Sequence, residues 1–303
     1  ASDVYKRQLY TGRNDRRLSA RREKGGKLGM VSNKQVCERA AAERLDAAVE
    51  IRSEIAPLVS VIMPAYNSER FIEQAVRSVR MQTMQRWEMI IVDDCSTDKT
   101  AEQIKRLAAE DPRIIPVYSE SNHGAAESRN IALRQCRGEF VALLDADDVW
   151  HPQKLERELE RARETDADLV YSSYAMIDEQ GTRCFSDFIV EESTDLQSML
   201  NCNTIGCSTV LMKAKVLEKR PFVTDFYHED YVMWLSLLQA GCKAVGVRDI
   251  LVDYRVTRGS RSFNKLKSAK NRWRVYRDYL KLPLIPSMKA MACYTFNGLK
   301  KYR

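Results

Sequence analysis

Acidic side chains recur in this sequence at places where they could hold and act on a charged substrate. Asp93-Asp94 and Asp145-Ala146-Asp147-Asp148 each close a stretch of regular pattern, Glu229-Asp230 opens one, and Pro64-Ala65-Tyr66-Asn67 ends another. Carboxylates gathered in one place repel each other and resist burial, so a cation or a set of hydrogen-bond donors is expected among them. Two aspartates separated by one residue on a turn suit a hard divalent ion, Mg2+ or Mn2+, which in turn grips two phosphate oxygens. The competing reading is that Asp94 and Asp148 cap helices while Asp145 and Asp147 sit solvated in a loop. A three-residue motif taken alone favours that blander reading. With Asp94 and the Pro64–Asn67 turn in place upstream, the balance moves to the metal. Glu229-Asp230 also has two readings, since acids favour the first turn of a helix and YVMWLSLLQAG supplies that helix. A helix start also fixes a general base in position, so both readings can hold.

The elements that must carry these residues alternate. LVSVIMPAY (58–66), WEMIIVDD (87–94), IIPVYS (114–119) and EFVALLDADD (139–148) read as buried strands. Helical spacing covers 68–82, the stretch from the Ser96-Thr97-Asp98 cluster to about 110, and 124–135. Strands alternating with helices imply βαβ units and a mostly parallel sheet. In such sheets ligands bind beyond the carboxyl ends of the strands, where the acidic residues fall. The domain is expected over 57–256. Residues 1–29 show no sustained apolar period and are set aside as a disordered or non-native extension, with Met30 a sensible start. A surface helix over 33–55 within a 30–56 linker leads into the domain.

Composition limits the alternatives. The 303 residues are 30% charged and 44% hydrophobic, which excludes a wholly disordered chain. No apolar run approaches the roughly 20 residues of a membrane span, so a polytopic membrane enzyme is not expected. The net charge of +7 is unevenly distributed. Residues 1–29 carry nine basic and three acidic side chains (+6), residues 254–303 fourteen and one (+13), and the middle 26 and 38 (−12). The body is acidic and the tail invites an anionic partner. Eight scattered cysteines without a CxxC read as buried thiols of a cytoplasmic protein. Three histidines leave little for zinc, and His123 and His228 read as local hydrogen-bonding residues. Gly124 serves a tight turn into its helix. No GxGxxG follows a strand and no GxxxxGK[ST] occurs, so dehydrogenase and P-loop readings lack their motifs.

Five collinear segments carry a resemblance: VSVIMPAYNSERFIEQAVRSVRMQT (59–83), EMIIVDDCSTDKT (88–100), NHGAAESRNIAL (122–133), GEFVALLDADDVWHPQKLE (138–156) and HEDYVMWLSLLQAG (228–241). Together they resemble the family 2 inverting glycosyltransferases of GT-A fold. The tail is similar to that of bacterial cell-wall and capsule enzymes of the teichuronic-acid type. The resemblance implies a Rossmann-like mixed α/β sheet flanked by helices, and a nucleotide-sugar donor, UDP-linked for preference. It places Pro64, Ala65, Tyr66 and Asn67 against the nucleobase and ribose, with Glu69 beginning the neighbouring helix. Asp94 is implied to accept a hydrogen bond from the base, Arg129 of S-R-N to face the nucleotide, and Asp145-Ala146-Asp147 to contact ribose and metal. Asp145 and Asp147 would be the metal ligands and Asp230 the catalytic base, with Glu229 and Trp234 shaping the acceptor pocket. The family's A-R-N is S-R-N here, a small departure.

In 264–282, Trp273, Tyr276 and Leu280 follow i, i+3, i+7 with Arg272, Arg274, Arg277 and Lys281 around them. A basic amphipathic helix of this kind suits the anionic inner face of a membrane, and the expected acceptor is a saccharide or a polyprenyl-phosphate-linked one carried there. The alternative is a helix packed back onto the body. Nucleic acid is not an expected partner, since no nucleic-acid motif accompanies the charge. The processive signature QxxRW is broken by Ala269, which favours transfer of a single sugar. The rival functions are a sugar-phosphate nucleotidyltransferase, which should have a glycine-rich basic loop where PAYNSER stands, and a non-catalytic scaffold of a wall-synthesis complex. A glycoside hydrolase would need paired carboxylates but no metal motif.

Overall fold

The computed structural model describes residues 56–257 and 265–300. The expectations for 1–29 and the 33–55 helix lie outside the described residues. Strand β1 (Val59–Ala65), helix α1 (Ile72–Arg80), β2 (Trp87–Asp93), α2 (Thr100–Glu110), β3 (Ile114–Tyr118), α3 (Ala125–Leu133) and β4 (Phe140–Leu143) follow the expected alternation. After β4 come β5 (Val149–Trp150), α4 (Lys154–Thr165), β6 (Leu169–Ile177), β7 (Ser193–Thr194), α5 (Leu196–Asn201) and β8 (Val210–Lys213). The remainder is α6 (Glu229–Gln239), β9 (Ala244–Arg255), α7 (Lys265–Arg274), a π turn at Val275–Tyr279, and α8 (Leu284–Lys300).

The described strands form one sheet in the order β3-β2-β1-β4-β8-β6-β9-β5, with β7 also on β9. Its first four strands are parallel, as the βαβ pattern requires. β8 then runs antiparallel between β4 and β6, so the sheet is mixed rather than mostly parallel throughout. Side chains alternate across β1: Val59, Val61 and Met63 enter a layer with α1, α2 and α4, while Ile62 enters the opposite layer with α3, α5 and α6. A strand buried on both faces needs an unbroken apolar run, which is why 58–66 shows no alternation. In α1, Ile72, Ala75, Val76 and Val79 repeat at i, i+3, i+4, i+7 and are wholly buried. This helix starts at Ile72 rather than at 68, because the intervening residues make a turn.

One polar cluster inside the sheet ties β1, β2 and the entry to β4. Glu88 accepts from the Ser60 hydroxyl (2.7 Å), the Arg137 amide (2.7 Å) and the Arg137 guanidinium, while the Gly138 amide donates to Ser60 Oγ (2.9 Å). A Cβ at Gly138 would lie 2.6 Å from the Ser60 nitrogen, so only glycine allows this approach.

Candidate active site

The sheet's carboxyl edge is built from four loops and one helix start. The turn after β1 is stitched to the loop after β2. Asn67, at φ 48°, accepts from the Thr97 amide through Oδ1 (2.9 Å), and its own amide donates to Ser96 Oγ (3.0 Å). Glu69 accepts from the Lys99 amide (2.9 Å) and donates its amide to Asp98 (3.1 Å). Pro64 and Ala65 complete β1, and the Tyr66 ring is half exposed at the edge. Polar side chains clustered in both loops thus fix a rigid lip, with one aromatic face open beside it.

The Asp145–Asp148 segment leaves the sheet because β4 ends at Leu143. Asp148 is buried and fully engaged, accepting from the Ser208 hydroxyl (2.5 Å) and the Arg255 amide (2.8 Å). Burial, with the Asp147 and Asp145 charges next to it, pushes its pKa well above the ordinary aspartate value. Arg255 extends the clamp: its Nε donates to the Asp147 carbonyl (2.8 Å), and its other nitrogens reach the Asp178 carbonyl and Gln74. The Asp145 amide donates to Ser208 Oγ (3.0 Å). The backbone of the acidic turn is therefore held from β9 and from the loop before β8, which leaves Asp145 and Asp147 partly exposed at the edge.

Arg129 joins this turn to the start of α6. Its guanidinium donates to Asp145 (2.5 Å) with one nitrogen and to Glu229 (2.5 Å) with another, and its side chain is 2% exposed. Next to Glu229 stands Asp230, whose pKa is raised by burial and by the Glu229 charge, against the opposing pull of His228 and Arg129. Asn130 exchanges two hydrogen bonds with the Phe222 backbone (2.8 and 3.0 Å), and so anchors the segment that leads to Asp230. The loop in front of α6 is also held from α7, by the Tyr227 amide to Asn271 (2.8 Å) and by His228 to Ser268 (3.1 Å).

Several sequence expectations need correction in detail. Arg129, expected to face the nucleotide, is buried between two carboxylates. Both ends of its guanidinium are engaged, and it positions Asp145 and Glu229. Glu229 is likewise buried in that ion pair rather than placed on an accessible pocket wall. Trp234 is wholly buried in the layer with α3 and α5, one turn of helix beyond Asp230, and has no surface to offer an acceptor. Asp94 is buried, and its oxygens accept the His123 (2.9 Å) and Gly124 (2.7 Å) amides, so it holds the turn that leads into α3. Gly124, at φ 85°, makes the turn that presents those amides. Both amides precede the first helical residue, Ala125, so Asp94 fastens the turn before α3 rather than capping a helix, and the Asp148 oxygens go to Ser208 and Arg255. Ser208 and Arg255 are not singled out by sequence, because the Asp148 they bond lies 60 and 107 residues away. The signal that could have pointed to Arg255 is an arginine closing the largely apolar run ILVDYR.

Among the described residues, no three His, Cys, Asp or Glu side chains gather as a metal cage. Asp145 and Asp147 offer two hard carboxylates at the sheet edge, one of which already shares an oxygen with Arg129. That donor set fits a divalent cation completed by phosphate oxygens and water, rather than one held by protein alone.

Known proteins bear on this edge. The sequence pattern of Glycosyl transferase family 2 matches residues 60–220. TuaG of Bacillus subtilis (strain 168), named as a teichuronic acid biosynthesis glycosyltransferase, is 39% identical over 245 residues, covering 81% of this chain and 97% of TuaG. WfgD of Escherichia coli, a UDP-Glc:alpha-D-GlcNAc-diphosphoundecaprenol beta-1,3-glucosyltransferase, is 35% identical over 247 residues, 81% of this chain and 95% of WfgD. Among solved structures, Staphylococcus aureus TarS 1–349 with UDP-GlcNAc is similar at TM-score 0.61 and 22% identity, over 72% of this chain and 64% of that one. The mannosyltransferase PcManGT of Pyrobaculum calidifontis, solved with GDP-Man and Mn2+, is similar at TM-score 0.61 and 20% identity, over 78% and 69%.

Proposed function

The chain belongs to glycosyl transferase family 2 and is a glycosyltransferase, and from that premise we propose that it inverts the anomeric centre of one sugar while moving it from a UDP-linked donor to a lipid-linked saccharide in surface-polysaccharide synthesis. The names of TuaG and WfgD support the acceptor class and the biological setting. The UDP-GlcNAc complex of TarS supports the donor class. We place the reaction at the inner face of the plasma membrane.

The observation that carries the reading is the buried Asp145–Arg129–Glu229 chain, which sets the acidic turn and Asp230 on either side of one edge. Asp145 and Asp147 would hold the divalent cation, which when bound neutralises charge on the departing diphosphate. The lip formed by Pro64, Ala65, Tyr66 and Asn67 receives the nucleoside, with the Tyr66 ring as a stacking face. Asp94 reaches the base only if the His123 and Gly124 amides share its oxygens, so its first duty is to hold that wall. Asp230 takes the proton of the acceptor hydroxyl as it attacks the anomeric carbon. The C1–O bond to the diphosphate breaks on the opposite face, and no covalent intermediate is needed. Base assistance of this kind contributes about 10²–10⁴-fold to the rate.

Replacing Asp230 with Asn tests the base role. Transfer should fall by about 10²-fold or more, while UDP-sugar binding measured by calorimetry stays within error. Near-normal turnover would remove Asp230 from the mechanism. Asp147→Ala should abolish the Mn2+ dependence of UDP binding, and a retained dependence would move the cation elsewhere.

A further inference from the structure

The tail separates into two helices with opposite surroundings. α7, the helix in which sequence reading placed the amphipathic membrane face, is docked on the body: Ser268, Asn271 and Arg272 are buried, as are Val275 and Tyr276 just beyond it. Arg272 lies between the rings of Tyr231 on α6 (3.5 Å) and Tyr294 on α8 (4.5 Å), and the Tyr276 hydroxyl donates to the Leu200 carbonyl (2.7 Å). α8 differs. Ser287 and Ala290 are buried and Tyr294 is partly buried, while the other side shows Ile285 (68% exposed), Met288 (57%), Ala292 and Phe296 (61%). These follow at three, seven and eleven residues, so they form one stripe along the helix. Four of the nine exposed large hydrophobics among the described residues, counting Leu284, belong to this helix.

We propose that the Ile285–Phe296 stripe of α8 is the surface by which the enzyme lies on an anionic lipid bilayer. Charge selects this occupant. Exposed Lys289 flanks the stripe and exposed Lys281 precedes it, and no Asp or Glu occurs from 279 to 303. A second copy docking stripe to stripe would bring two such basic tails together, whereas an anionic surface complements them. No described helix is long and apolar enough to cross a membrane, so the helix would rest in the interface plane. The placement also has a consequence for the site. Through Arg272 and Tyr231, α8 is braced against the first turn of α6, beside Asp230. The base is thereby fixed relative to the bilayer from which a lipid-linked acceptor would be presented. This consequence rests on the proposed acceptor class; the binding surface itself does not.

Sedimentation of the full chain with phosphatidylcholine vesicles, with and without phosphatidylglycerol, tests the proposal. The wild type should bind the phosphatidylglycerol vesicles, and I285S/M288S/F296S should weaken that binding by about tenfold or more. K281E/K289E should weaken it by about fivefold or more per charge, with the effect lost at high salt. Unchanged melting temperature and UDP binding would show both variants folded. Vesicle binding unaffected by the serine triple variant overturns the proposal, as does a wild type that ignores vesicles. A triple variant that turns a dimer into a monomer in analytical ultracentrifugation, while still binding lipid, assigns the stripe to self-association instead. Transfer to a short water-soluble acceptor should be equal in wild type and triple variant. If the wild type transfers sugar to the soluble acceptor but not to a lipid-linked one in phosphatidylglycerol vesicles, the acceptor reading fails while the lipid surface stands on its sedimentation result.

Discussion

At the scale of single residues, Arg129 organises the edge. A guanidinium stays protonated under all working conditions and offers donors on two sides, so it can neutralise Asp145 and Glu229 at once in a buried place. Arg129→Ala would leave two carboxylates facing a vacated site, and removing one partner of a buried pair costs about 3–5 kcal/mol. Arg129→Lys should recover less than half of that, because an ammonium cannot span both partners with fixed geometry. Chemical denaturation of the two variants checks both expectations. Asp230 gives a pH prediction. Its pKa is raised, and a base must be deprotonated to act, so transfer rate should rise with pH through an inflection above the ordinary aspartate value of about 3.9. Glu229→Gln, which removes the charge responsible for part of the rise, should move that inflection downward if the variant folds. A rate–pH profile with no inflection above the ordinary value would contradict the assignment.

At the scale of elements, α4 carries an unusual feature for a helix on the sheet's outer layer. Lys154 and Glu158 are both fully buried and paired at 2.6 Å, with the ammonium 4.2 Å over the Trp150 ring. Burial outweighs the pairing and pushes the Glu158 carboxyl up to about 7. An unfolded glutamate titrates near 4.3, so the folded state holds this proton more tightly. The associated stability is fully present below about pH 4 and is lost as pH rises through about 7. Urea midpoints of the wild type should therefore carry a downward contribution over that window which Glu158→Gln removes. Lys154→Met removes the cation that holds the Glu158 carboxyl down, so the variant's stability should go on falling above pH 7 where the wild type levels off, and adding Glu158→Leu should abolish that pH dependence. Gly138→Ala is a second element-level prediction. The clash with β1 would shift β4 and should lower stability by about 1–3 kcal/mol, measured by the same denaturation.

At the scale of the whole molecule, the charge division of the sequence has a structural counterpart. The acidic body places its charges on the sheet edge and in internal pairs, and the basic tail is partly consumed as packing. Arg272 is the case in point: it reads as a solvated cation in sequence and stands buried between two tyrosines. Arg272→Ala should loosen α7 and α8 from α6, lowering the melting temperature by roughly 2–4 °C per kcal/mol lost. It should also raise the KM for a lipid-linked acceptor more than that for UDP-sugar. A variant with intact stability and unchanged KM values would show that the tail does not brace the base.

Much of this protein was legible before any coordinates. Buried strands advertise themselves as unbroken apolar runs and amphipathic helices as a period near 3.6, so β1 to β4 and α1 to α3 fall where the pattern puts them. The acidic turns at strand ends were legible for the same local reason, since motif and strand end are neighbours in the chain. What the sequence could not decide was which charges are spent on each other. Arg129 meets Glu229 across 100 residues and Arg255 meets Asp148 across 107, and such pairs form only once the sheet has brought its strands together. The same limit applies to the tail. Amphipathic periodicity identifies an apolar face but not what covers it. Only tertiary packing showed that α7 spends its face on the body while α8 leaves a stripe exposed, because burial belongs to surfaces that meet in space.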